Sequence, residues 1–210
     1  MIYPLYFFVI FLFFLLLLRA YSLWIEIARK YFYKKLSLRL KDTFIDDQLI
    51  LDIGSGTGFF AEMMRSKISG QIFCLDLQRT NKSNAPFVIA DARHLPFFDC
   101  SFDSTTLFYV LHHSDCPGTL LSEVCRVSRN RIIVHEDVYT NFFERIMYKV
   151  HIWSFNQLYQ LCGKNAMTDN DWLKLFTEAK MKVIQKFRIK RLGYPVSRLE
   201  YILISHNKTR

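Results

Sequence analysis

Apolar runs of strand length recur along the chain from residue 49 onward, separated by stretches of helix-forming residues. The runs are Leu49 to Ile53, Ile72 to Leu75, Phe87 to Ala90, Ser104 to Val110 and Arg131 to His135. Their alternation with helical stretches predicts βαβ units around a parallel sheet, and Leu49, Ile50, Leu51 and Ile53 of the first run suit a strand buried on both faces. Farther on, Asp171 to Ala179 reads as a helix, and Val183 to Ile189 and Leu199 to Ser205 read as two more strands. Gly193, Tyr194 and Pro195 lie between those strands, so the last pair is expected to run antiparallel. The fold class is α/β, with helices on both faces of the sheet.

A different pattern precedes residue 28. Met1 to Leu18 carries no charged side chain and is dense in Phe and Leu. As a helix it would rise about 1.5 Å per residue and span some 25 Å, apolar on all sides, which is near the thickness of a bilayer core. A secretory signal would place basic residues before such a run and small ones after it, whereas this run ends in Arg19-Ala20-Tyr21-Ser22-Leu23-Trp24. A buried core helix is the other alternative. Residues 1–27 are therefore expected to form an N-terminal hydrophobic helix that spans or is embedded in a membrane. Residues 28–44 would be a basic juxtamembrane helix or linker, and residues 45–210 the main domain. Within that domain, an aromatic-rich stretch at about 138–171 predicts a helical insertion. It would serve as a lid, as extra core packing or as a second contact with the bilayer.

Charge refines this division. The formal net charge is +9; seven basic side chains from Arg19 to Lys41 face one acid, Glu26, and nine from Lys180 to Arg210 face only Glu200. The middle of the chain is thus net acidic. A basic collar after an apolar helix places the remainder of the chain on the cytoplasmic side and favours an anionic membrane surface as partner, at about 1 kcal/mol per cation near the leaflet. Nucleic acid is the rival partner, but no RNA-binding signature is present. Plain solvated charge is the third reading. Cys74, Cys100, Cys116, Cys125 and Cys162 are scattered, odd in number and without C-x-x-C spacing, which suits reduced thiols. They make no ligand cluster with the six histidines, so no metal is expected.

The candidate chemistry is densest at Asp52-Ile53-Gly54-Ser55-Gly56-Thr57-Gly58, where the first strand ends in a carboxylate and breaks into glycines at every second position. Glycines let a ligand lie against bare backbone, and the helix-forming residues from Phe59 point backbone N–H groups into the same crevice. A dinucleotide fingerprint would need glycine where Phe59 stands, and no Gly-Lys-Ser/Thr comes after the glycines to make a P-loop. A carboxylate at the strand end repels pyrophosphate and accepts from an ammonium group. The ligand predicted from these residues is cationic or zwitterionic.

Several segments in order extend the pattern: LDIGSGTGFF at Leu51 to Phe60, IFCLDL at Ile72 to Leu77, VIADARHLPF at Val88 to Phe97, FDSTTLFYVLHH at Phe102 to His113 and LSEVCRVSRNRIIVHE at Leu121 to Glu136. From about Asp46 to Asp137 the chain resembles the class I S-adenosylmethionine-dependent methyltransferases, especially the small quinone-biosynthesis-like type 11 domain. The resemblance implies a Rossmann-like three-layer sandwich whose seven-stranded, mostly parallel sheet ends in an antiparallel C-terminal hairpin. It also implies S-adenosyl-L-methionine as cofactor. Asp52 and the loop Gly54, Ser55, Gly56, Thr57 and Gly58 would hold its methionine end, Asp76 and Leu77 its ribose, and Asp91 and Ala92 its adenine, with Phe108 lining the site.

Methyl transfer asks mainly for alignment, exclusion of water and, for some acceptors, removal of a proton. The candidate bases are His112 and His113 after the fourth strand and His135, Glu136 and Asp137 on the fifth, with His135 and His113 preferred. The activity implied is methyl transfer to a small-molecule or lipid- or quinone-like acceptor; a noncatalytic cofactor-binding scaffold at the membrane is the alternative. The sequence assigns neither the methylated atom nor an oligomeric state.

Overall fold

The computed structural model describes residues 30–159, 167–189 and 196–205, together with Phe13, Leu16, Arg19, Leu23 and Ile27. A first helix, α1, covers residues 30–40 and runs into a 3-10 turn at Lys41–Phe44. Next in order are β1 (Leu49–Ile53), α2 (Phe59–Met64), β2 (Gln71–Asp76), β3 (Phe87–Ile89), β4 (Phe102–Phe108), α3 (Pro117–Val127), β5 (Ser128–Val138), α4 (Phe142–Tyr159), α5 (Asp169–Glu178), β6 (Met181–Ile189) and β7 (Ser197–Ser205). The sheet order is β3-β2-β1-β4-β5-β7-β6, parallel throughout except for β7, which runs antiparallel to both β5 and β6.

Alternation along β1 shows how two cores form. Ile50 points to one face, where it meets Leu36, Leu40 and Phe44 from the N-terminal segment and Phe60 and Met64 from α2. Leu51 and Ile53 point to the other, against Leu120, Leu121 and Val124 of α3 and Trp172 and Phe176 of α5. The three-layer expectation therefore holds. Both edges are protected: β3 is three residues long, and β6 carries Lys182, Lys186 and Arg188 outward.

Several strand limits shift from the sequence reading, and two of the shifts have a clear local reason. β5 starts at Ser128 directly out of α3 and includes Arg129 and Arg131, whose charges are met by Asp103 and by the Thr43 carbonyl. β4 stops at Phe108 because Tyr109 turns to φ 63°, a left-handed conformation that ends the extended run.

The segment before residue 45 packs on the sheet. Within residues 28–44, expected as a basic juxtamembrane helix or linker, the chain is helical at 30–40, Leu36, Leu40 and Phe44 are buried in the sheet's core, and Arg39 makes a two-pronged ion pair with buried Glu200 of β7. The basic residues Lys34, Lys35 and Lys41 mask an i, i+4, i+8 apolar stripe on this segment. The expected anchor, residues 1–27, lies mostly outside the described residues; the five described positions in it are helical and exposed. Among the described residues, no helix is long and apolar enough to cross a membrane. Of the stretch at about 138–171 expected as a helical insertion, Phe142–Tyr159 forms α4, while residues 160–166, which include Cys162, and Gly193, Tyr194 and Pro195 lie outside the described residues.

Candidate active site

The glycine loop connects β1 to α2 at the carboxyl edge of the sheet, between β2 on one side and β4 on the other. Strand order reverses between β1 and β4, and open α/β sheets bind ligands at such a switch point. Gly54, Gly56 and Gly58 all adopt positive φ, at 67°, 53° and 75°. A side chain on Gly54 would run into Val110, and one on Gly58 into Asn81 and Ser83, whereas a Cβ on Gly56 would meet open space. Thus two glycines allow close packing beneath and beside the loop, and Gly56 leaves its upper surface bare. The loop is fixed by Ser55 N–H donating to the Leu75 carbonyl at 3.0 Å and by Thr80 Oγ1 donating to the Gly56 carbonyl at 2.9 Å.

Asp52, Asp76 and Asp91 stand at the ends of adjacent strands, each with its own donors. Asp76 Oδ2 accepts from Gly56 N–H at 2.8 Å and its Oδ1 from Gln78 N–H at 3.1 Å, so this carboxylate ties the glycine loop to β2. Asp52 is 1% exposed and accepts from Thr106 Oγ1 at 2.7 Å. Burial, opposed by the Thr106 bond and assisted by nearby Asp76, pushes its carboxyl up to about 7. The strand-end carboxylate read from the sequence is therefore buried, with its titration moved up towards neutral pH. Asp91, just beyond β3, is gripped by the Arg93 guanidinium at 2.6–3.0 Å, which holds it below the usual carboxylate range. Leu77 is exposed next to Asp76, while Ala92 is partly buried against the α3-side core. Phe108 departs from its expected role: it is 6% exposed, inside the α1-side core, with its ring 4.7 Å from both Phe60 and His135.

The candidate bases are also redistributed. His135, expected at the ligand edge, is wholly buried and bonded to Glu200, which Arg39 also holds. Burial lowers its pKa against the pull of Glu200, leaving a neutral imidazole walled in by Phe32, Phe108 and Tyr109. His112 is equally buried, its Nδ1 2.5 Å from Glu136 Oε2. Burial opposes its charge, but Glu136 outweighs that and raises its pKa, while burial raises that of Glu136. Glu136 Oε1 accepts from the N–H groups of Val110 and Leu111 at 3.1 and 2.7 Å, fixing the 3-10 turn Leu111–His113. Asp137 accepts from Arg198 Nε at 2.8 Å and is buried. Of the five, only His113 is partly exposed, with its ring 4.0 Å from His112.

Residues 51–133 match the family described as a methyltransferase domain. Among curated relatives, the ubiquinone/menaquinone biosynthesis C-methyltransferase UbiE of Bartonella tribocorum is 30% identical over 178 residues, covering 72% of this chain and 65% of that protein. The demethylmenaquinone methyltransferase of Renibacterium salmoninarum is 29% identical over 106 residues, 47% of this chain and 45% of that one. Residues 51–133 carry a methyltransferase domain of the class I S-adenosylmethionine-dependent kind. Apart from its longer match to UbiE, the chain spans about half or less of the length of the curated relatives it matches. The magnesium protoporphyrin IX methyltransferase of Synechocystis PCC 6803, solved with S-adenosylhomocysteine, shares the fold at a TM-score of 0.62 and 12% identity, covering 85% and 84% of the two chains.

Within this methyltransferase fold, the donor set fits a sulfonium nucleoside. The surface above Gly56 is open, Asp76 keeps lone pairs beyond its two backbone bonds, and Asp52 is a desolvated carboxyl that a ligand cation would return to its charged form. Thr106, Thr80 and Val110 support this site without any sequence signal that marks them. Glu136, which the sequence offers as a base, a substrate-orienting group or a helix cap, supports it too. Its pairing with His112 spans 24 residues, a separation at which sequence spacing carries no contact signal.

Proposed function

We propose that this chain is an S-adenosylmethionine-dependent methyltransferase acting on a small lipid- or quinone-like acceptor at the cytoplasmic membrane face. The observation that carries the cofactor reading is the loop of three left-handed glycines at the sheet's switch point, tied by Gly56 N–H to the strand-end carboxylate Asp76. The quinone-biosynthesis relatives support the acceptor class, and the apolar N-terminal run with its basic flank supports the membrane location.

When bound, the cofactor would supply a methyl group already activated on a positive sulfur. Asp76 would accept from the ribose hydroxyls, Asp52 from the ammonium group, and the Asp91–Ala92 turn would face the adenine. His112 and Glu136 position the turn that carries His113, and His113 is placed to take a proton from an acceptor hydroxyl. Burial of the other four candidates favours a second reading, a noncatalytic cofactor-binding scaffold.

One experiment separates these readings. The full chain is titrated calorimetrically with S-adenosylhomocysteine, then incubated with radiolabelled S-adenosylmethionine and membrane extract. Binding with label in the lipid fraction supports the proposal. Binding without turnover in any fraction supports the scaffold, and absence of binding overturns both.

A further inference from the structure

Helix α4 carries two unlike faces. Tyr148 and Ile152 are buried with Val196, and the Tyr148 ring stands 5.7 Å from that of His112, so the inner face packs on the turn at the ligand edge. On the outer side Phe142, Phe143, Ile146, Val150 and Trp153 are 75%, 64%, 41%, 52% and 65% exposed. At 3.6 residues per turn these five share one arc roughly 100° wide, and Arg145 and Lys149, both exposed, lie along its border. The helix's one acid, Glu144, is drawn off this face by Thr140 and Ser197, which donate to its carboxylate at 2.7–3.2 Å.

Such a contiguous apolar surface calls for a partner. We propose that α4 is an in-plane docking helix that seats the ligand edge of the sheet on an anionic bilayer, its aromatic arc in the acyl boundary and Arg145 and Lys149 at the phosphates. Charge decides the occupant. The arc is bordered by cations and the chain is at +9, matching anionic headgroups, whereas a second copy would bring the same two cations against themselves. A docked α4 holds the crevice beside the hydrocarbon, where a lipid-like acceptor resides. The inference rests on the membrane location proposed above and adds to it a specific face and orientation.

The test uses tryptophan emission from the full chain with vesicles of phosphatidylcholine and phosphatidylglycerol whose acyl chains are brominated. Of the three tryptophans, Trp172 is fully buried and Trp24 is removed as Trp24→Phe, so quenching reports Trp153. The expected result is loss of emission on vesicle addition, and disappearance of that loss in Trp24→Phe/Trp153→Phe. Ile146→Glu with Val150→Glu, both at exposed positions, should loosen vesicle binding at least about tenfold, the change that roughly 1.4 kcal/mol produces, without altering S-adenosylhomocysteine binding. If the chain sediments with vesicles while Trp153 stays unquenched, the α4 inference falls and the membrane location stands. If the chain does not sediment with vesicles at all, both fall. Self-association abolished by Ile146→Glu, with Trp153 shielded from lipid, would assign the face to a second copy and overturn the proposal.

Discussion

Asp52 carries much of the site's electrostatics in one buried side chain. Its carboxyl titrates at about 7 in the folded chain against an ordinary value of 3.8, so between those values the native state holds a proton that the unfolded state has lost. Stability contributed by this group is therefore full near pH 4, falls as pH rises towards 7, and is level above that. Asp52→Asn keeps an oxygen for Thr106 and removes the buried charge. It should stabilise the chain at pH 8 by on the order of 3 kcal/mol and flatten the pH dependence in denaturant titrations. The same change should weaken cofactor binding about tenfold or more, measured calorimetrically, because the ammonium group loses its counter-charge. At the other end of the site, His113→Ala should leave cofactor affinity unchanged and lower the methyl-transfer rate about 100-fold, read in the radiolabel assay. An unchanged rate would mean that the acceptor needs no side-chain base.

At the scale of elements, α1 is the least legible from sequence and among the most consequential. Its basic residues suggest a juxtamembrane helix or linker, and they conceal the stripe of Leu36, Leu40 and Phe44 that closes one face of the sheet. Phe32 and Tyr33 continue it towards the ligand edge, against Tyr109, Phe59 and Phe108. Leu40→Ala should cost about 2–5 kcal/mol in denaturant unfolding. Arg39→Ala should cost about 3 kcal/mol, since it leaves the buried Glu200 charge with only neutral His135 beside it. A truncation starting at residue 41 should lose cooperative unfolding, whereas one starting at 28 should retain it. The strands are far more legible. Burial on both faces favours short apolar runs such as Ile50-Leu51 of β1 and Ile132 to Val134 of β5, and α2 and α3 link β1 to β2 and β4 to β5.

At the scale of the whole molecule, charge separates into basic ends and an acidic middle, and that separation should show as salt-dependent attraction to anionic vesicles. Binding of the full chain should drop as ionic strength rises from 0.01 to 0.15 M, a range over which the screening length shrinks from about 30 to about 8 Å. Binding that survives high salt would be owed to apolar contact instead. By itself, the sequence determined the βαβ order, the antiparallel end of the sheet and the glycine loop with its strand-end carboxylates, because each is a local pattern written within a few consecutive residues. Only the tertiary structure decided that Asp52 is desolvated, that His135 is sealed beside Glu200 while His113 stays at the rim, and that α1 belongs to the core. Those facts arise from contacts between residues far apart in the chain, such as Arg39 with Glu200 and His112 with Glu136. Burial and charge pairing there depend on which faces meet, and no local stretch encodes that.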